Sequence, residues 1–115
     1  MADCIFCRIV AQDVPAREVA RSEDVVAFHD LNPQAPVHVL VVPTKHLLNA
    51  AAADSEAGER VLGQTLRFAA SVARQLGLAE SGYRLVLNSG RDGGQSVDHL
   101  HVHLLGGRRL TWPPG

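Results

Sequence analysis

Charge of one sign is what this chain of 115 residues lacks first: Lys and Arg total 11 against 12 Asp and Glu, a formal net charge of −1 at pH 7. Affinity for nucleic-acid polymers comes from Lys and Arg displacing counterions along many phosphates, so binding to DNA or RNA is not expected. Long apolar runs are also missing. None is longer than Val39–Val42, against roughly 18 residues for a membrane span, so no membrane partner is expected. Met1-Ala2-Asp3-Cys4 has no basic segment leading into an apolar one, hence no secretory signal is read and the expectation is a cytosolic protein. Cysteine is limited to Cys4 and Cys7, which excludes a disulfide scaffold. In a reducing compartment that two-residue spacing suggests thiolate ligands or redox chemistry. No repeat, charge block or linker divides the sequence, and with 46% hydrophobic and 20% charged residues it reads as one globular domain over residues 1–115.

The hydrophobic pattern places the elements. Ile5, Phe6, Ile9 and Val10 have helical spacing and stop before Pro15, predicting a short helix over Cys4–Val10. Val25–Phe28 is β-branched and apolar and runs into the turn residues His29-Asp30-Leu31-Asn32-Pro33, which predicts a strand and a loop. Val37–Val42 stops at Pro43 and reads as a central strand buried on both faces. After a cap at Asp54 or Ser55, Leu62, Leu66, Ala69, Ala73 and Leu76 form one face of a long helix that ends at Gly77. Tyr83–Asn88 and His99–Leu105 alternate and predict antiparallel strands joined by a flexible polar loop, Gly90–Ser96. Strands grouped around separated helices give an α+β fold on a mostly antiparallel sheet.

Histidine is where the sequence is unusual: His99, His101 and His103 stand at period two. On a strand that spacing puts three imidazoles on one face and Leu100, Val102 and Leu104 on the other. Two chemistries use such a row. The imidazoles are metal ligands, as in zinc and iron sites, or one of them is a nucleophile that its neighbours orient, which suits phosphorus chemistry. Gly93-Gly94-Gln95-Ser96 just upstream can aim backbone N–H groups and a hydroxyl at phosphate oxygens, which favours the second.

The run Gly94-Gln95-Ser96-Val97-Asp98-His99-Leu100-His101-Val102-His103-Leu104-Leu105-Gly106-Gly107-Arg108 resembles the signature of the histidine-triad (HIT) family. The likeness extends through Ala27–His38 and the ending Trp112-Pro113-Pro114-Gly115. That ending and Ser96 resemble the Hint branch, whose members hydrolyse purine nucleoside phosphoramidates, more than the branch of dinucleoside polyphosphate hydrolases. The resemblance implies a five-stranded sheet with one long and one short helix, a homodimer, and a purine nucleotide (an AMP or GMP moiety) as substrate. It implies His101 as the nucleophile toward the α-phosphorus, with His103 and His38 flanking it and Ser96 serving the leaving amine. The phosphate and 5′ oxygen would meet Asn88 and the amides of Gly94, Gln95 and Ser96. The ribose would meet His29 and Asp30, and the base a slot of Ile5, Phe6, Ile9, Phe28, Leu31 and Leu40. Asp98 departs from the pattern, standing where some relatives carry an aromatic residue.

Some bacterial members similar to this chain hold a structural zinc with two cysteines and two histidines. The resemblance carries that set to Cys4, Cys7, His46 and His99, a closed tetrahedral shell, and leaves no cofactor for catalysis. Two other readings of the histidines stay open in the sequence: a metallohydrolase or oxygenase using the triad directly as ligands, and a purine-nucleotide-binding or interaction module without turnover.

Overall fold

The computed structural model describes residues 3–115. Five strands, β1 (Glu18–Arg21), β2 (Val25–His29), β3 (Val37–Pro43), β4 (Tyr83–Val86) and β5 (Val102–Gly106), form one antiparallel sheet in the order β1-β2-β3-β5-β4. β3 is the central strand, as its unbroken apolar run requires. The two faces of the sheet are covered by different helices. Val25, Ala27, Val39, Val41, Val102 and Leu104 pack against Ala69, Val72 and Ala73 of α2 (Glu56–Gln75). Val26, Phe28, Leu40 and Val42, the residues of opposite parity on β2 and β3, pack against Phe6 and Ile9 of α1 (Ile5–Val10).

Local chemistry sets the ends of these helices. Ser55 is the N-cap of α2, its hydroxyl accepting from the Gly58 N–H at 3.0 Å, and Gly77 takes φ +78° just after the last turn. Cys4 caps α1, its sulfur accepting from the Cys7 N–H at 3.4 Å. The two-residue spacing of the cysteines therefore places both on one helix start.

The structure departs from the sequence expectations at four places. β1, Glu-Val-Ala-Arg, is a strand with too short an apolar pattern to be read, and it exists because β2 offers it a ladder. Tyr83–Asn88 pairs only as far as Val86. The flexible loop contains one helical turn, α3 (Gly90–Gly93), closed by Gly94 at φ +82°. Strand β5 begins at Val102, so His99 and His101 precede the ladder. The reason lies on the partner strand: Val41 pairs with Val102, so the next bonded step would put Leu100 opposite Pro43, which has no N–H to donate. The Leu100 N–H donates instead to the Leu47 carbonyl at 2.6 Å.

Candidate functional site

The triad divides as it leaves the strand. His101 and His103 line a pocket of about 260 Å3, whereas His99 turns toward the cysteines. Hydrogen-bond partners fix the neutral tautomers. His101 Nδ1–H donates to the His99 carbonyl at 2.8 Å, so its Nε2 holds the lone pair. The Gln34 N–H donates to His38 Nδ1 at 3.0 Å, so His38 carries its proton on Nε2 and donates to His103 Nδ1 at 2.9 Å. That leaves the proton of neutral His103 on Nε2. Asp30 Oδ2 stands 3.4 Å from the same His38 Nε2, while its Oδ1 accepts from the Asn32 N–H at 2.8 Å. Asp30 is thus both a turn former and a pocket carboxylate.

Burial keeps the flanking imidazoles uncharged. It pushes His103 down from 6.5 to about 4, with the neighbouring His101 and His38 adding to the fall and Asp30 opposing it. Burial lowers His38 as well, against the pull of Asp30.

Of the residues expected to hold a nucleotide, Ile5, Phe6, Ile9, Phe28, His29, Asp30, Leu31, Leu40, Ser96, His101 and His103 all line the pocket. His38 is buried behind it and reaches it through His103. Asn88, Gly94 and Gln95 do not line it. The Gln95 side chain is engaged with the backbone: its amide nitrogen donates to the carbonyls of Leu48 and Val97 at 2.7 and 3.0 Å, and its oxygen accepts from the Gly90 N–H. Pro15, Ala16, Arg17 and Val97 complete the lining and were not foreseen. The first three follow the helix into β1, and with that strand unread nothing local placed them at a pocket. A groove of about 500 Å3 adjoins the pocket through Ile5, Ser96 and Val97, and is walled further by Asp3, Cys4, His46 and Asp98.

Cys4, Cys7, His46 and His99 converge, with all four donor atoms within 4.8 Å of one another. Sulfur to nitrogen separations are 3.4 Å (Cys4–His99), 3.3 Å (Cys7–His46) and 3.5 Å (Cys7–His99), and the two Nδ1 atoms lie 3.2 Å apart. A tetrahedral zinc with bonds of about 2.3 Å to sulfur and 2.0–2.1 Å to nitrogen needs edges of about 3.5 Å and 3.3 Å, so the donor set fits structural zinc. The remaining nitrogen of His99 donates to the Pro43 carbonyl at 2.9 Å, which leaves the Nδ1 lone pair for a metal. Without a cation, burial and the Cys4 sulfur push the Cys7 thiol up, and a divalent ion reverses that balance. By contrast His99, His101 and His103 do not converge on one point: among the described residues, the other compatible group is Asp30, His38 and His103, whose two imidazoles are already hydrogen-bonded to each other.

Known proteins resemble this chain in sequence and in fold. The 14 kDa zinc-binding protein of Zea mays is 49% identical over 112 residues, covering 96% of this chain and 87% of its own. Adenylylsulfatase HINT1 of Arabidopsis thaliana is 46% identical over 114 residues, covering 96% of this chain and 76% of its own. The crystal structure of a HIT family hydrolase from Legionella pneumophila Philadelphia 1 superimposes with a TM-score of 0.94 at 43% identity, covering 98% of this chain and 100% of that one. The HIT domain model itself matches residues 11–110, and the chain belongs to the HIT domain family.

Proposed function

We propose that the protein hydrolyses purine nucleoside 5′-phosphoramidates through a nucleotidyl-His101 intermediate. The observation that carries this reading is the hydrogen bond from His101 Nδ1–H to the His99 carbonyl, which in the neutral tautomer puts the lone pair on Nε2, on a ring that lines an apolar pocket. Such an imidazole is a competent nucleophile near neutral pH. Nε2 attacks the α-phosphorus; the P–N bond breaks, its electron pair staying on the amine nitrogen, which takes up a proton from solvent. Water then attacks the same phosphorus, the P–Nε2 bond breaks, and the nucleoside 5′-monophosphate leaves as the imidazole recovers its pair and the water proton passes to solvent. Two displacements replace one of higher barrier.

The other residues have supporting tasks. His103 Nε2–H donates to a phosphoryl oxygen, with His38 holding His103 in that tautomer. Ser96 stands between pocket and groove and serves the leaving nitrogen. Ile5, Phe6, Ile9, Phe28, Leu31 and Leu40 hold the purine, and His29 and Asp30 the ribose. Cys4, Cys7, His46 and His99 would hold a structural zinc, whose part would be to tie α1 to the sheet.

A second reading keeps the same attack and replaces the amine by sulfate. It is favoured by the likeness to the Arabidopsis relative, an adenylylsulfatase. Against it, the groove beside Ser96 presents Asp3 and Asp98, whose carboxylates repel a departing sulfate and attract an ammonium. The test incubates the purified protein with adenosine 5′-phosphoramidate and, separately, adenosine 5′-phosphosulfate. AMP release is followed, and peptides are searched for an adenylated histidine. The expected result is faster release from the phosphoramidate, with the label on the His101 peptide. His101→Ala should lose turnover and keep AMP binding nearly intact. Full activity in that variant removes the proposal, and faster release from the phosphosulfate selects the second reading.

A further inference from the structure

Both ring nitrogens and the carbonyl of His99 are committed, each to a different part of the molecule. Nδ1 faces Cys4, Cys7 and His46 at 3.2–3.5 Å, Nε2–H donates to the Pro43 carbonyl at the end of β3, and its own carbonyl accepts from His101 Nδ1–H. The residue is fully buried, and Leu100 next to it is pinned by its N–H to the Leu47 carbonyl. A second route joins the same two places. Phe6 lies between Cys4 and Cys7 in the chain, and its ring meets His99 edge-on at 5.9 Å and His101 at 5.2 Å between centroids.

From these contacts we infer that His99 is a positioning residue which makes the Cys4–Cys7–His46–His99 cluster and the His101 imidazole one mechanical unit. A divalent metal on the cluster thereby fixes the reactive tautomer of His101 and the α1 wall of the pocket. The inference rests on the reading of His101 as the reacting group. Its physical basis is the short length of α1. Six residues make too few helical bonds to hold a helix in water, so α1 stays in place through its packing on the sheet and through two cysteine sulfurs set against His46 and His99. Ile5, Phe6 and Ile9 of the pocket wall are carried on that helix. Releasing the cluster frees His99 Nδ1 and both sulfurs together. His99 then loses the restraint that orients its carbonyl, and Phe6 the restraint that holds it against His101. The metal touches neither substrate nor nucleophile, and its effect on the reaction passes through one backbone carbonyl and one aromatic ring.

The test compares the zinc-loaded protein with the same protein stripped by a chelator, both carrying 15N-labelled histidine. In the loaded protein His101 should show one tautomer, protonated at Nδ1. After stripping, the two nitrogens should move toward a mixture of tautomers, AMP should bind about tenfold more weakly, and adenylyl transfer to His101 at saturation should slow by about tenfold or more, as for loss of other groups that orient a ligand from behind. Methyl signals of Val41 and Val72, on the far face of the sheet, report whether the fold survives. If stripping unfolds the chain, His46→Gln decides by the same measurements, because it removes one donor to Cys7 and His99 without changing His99 or any residue of α1. A folded, metal-depleted protein or a folded His46→Gln variant that keeps the single tautomer, with an AMP Kd within twofold of the loaded protein, overturns the coupling. The reaction is judged separately: a metal-dependent tautomer without any adenylate on His101 keeps the coupling and removes the phosphoramidate reading.

Discussion

Residue identity alone does not separate the histidines; the atoms they meet do. His99 meets two sulfurs, the imidazoles of His46 and His101 and one backbone carbonyl, His101 meets a carbonyl and an aromatic ring, and His103 meets His38. The sequence row shows them as equals because period two records only which side of a strand a residue faces, and two of the three precede the strand. The neutrality of His103 has a consequence for stability. With its folded pKa near 4 against an ordinary 6.5, the unfolded chain binds more protons between those values, so stability rises with pH across that window. The contribution of neutral burial is complete above about 6.5 and is lost as the pH falls through about 4. His103→Gln, which keeps a polar group and does not titrate, should make the urea midpoint fall less steeply from pH 7 to 4 than in the parent. Parallel profiles of the two proteins would show that His103 is not held neutral.

Among the elements, the two principal helices are stabilised differently, and the difference governs how legible each was. α2 has five predicted face positions, a Ser cap and a Gly stop, and all of these signals agree; the structure places Ala69 and Ala73 in the core with Leu66 and Leu76 packed against it. Ser55→Ala should cost about 1 kcal/mol, measured as a lower denaturant midpoint, with the cleavage rate unchanged because the helix lies on the face away from the pocket. α1 was legible as a helix from its own spacing, whereas its position came from the resemblance alone, which set Cys4 and Cys7 with His46 and His99, as no local pattern links residues so far apart in the chain. β1 could not be read because its pattern Glu-Val-Ala-Arg acquires meaning only when β2 is beside it, and with it went Arg17 on the pocket wall. The slot residues Phe28 and Leu40 came from the resemblance, and the structure puts them directly opposite each other on one face of the paired strands β2 and β3. Phe6→Ala removes the ring that packs on Phe28, His99 and His101 at once, so AMP affinity and the unfolding free energy should fall together. The loss of stability should be about 3–5 kcal/mol, and a variant that keeps both would leave α1 with no part in the pocket.

At the scale of the whole molecule, both sheet faces are covered and two edges remain, and they are not equivalent. β1 presents Glu18 and Arg21 and carries a register irregularity between Glu18 and Ala20, features that blunt an edge against pairing. β4 pairs with β5 in unbroken register and exposes Tyr83. The end of the chain is tied to this edge, since Arg84 donates to the Thr111 carbonyl at 2.8 Å. Beside it stands Trp112, 81% exposed. A regular strand edge next to an uncovered tryptophan suits a second copy of the same chain, whose β4 would extend the sheet across a twofold axis. We therefore expect sedimentation to give about twice the 12.3 kDa of one chain at micromolar concentration. Trp112 is the only tryptophan, so its emission reports burial directly and should shift to longer wavelength as the protein is diluted into monomers. Tyr83→Lys puts on this edge the charge that natural edge strands use to prevent pairing, and should yield a monomer with red-shifted emission while the sheet and α2 persist by circular dichroism. A parent protein that sediments as one chain at 100 µM, on the order of the strongest concentrations at which weak pairs still associate, would leave β4 a free edge and return the tail to solvent.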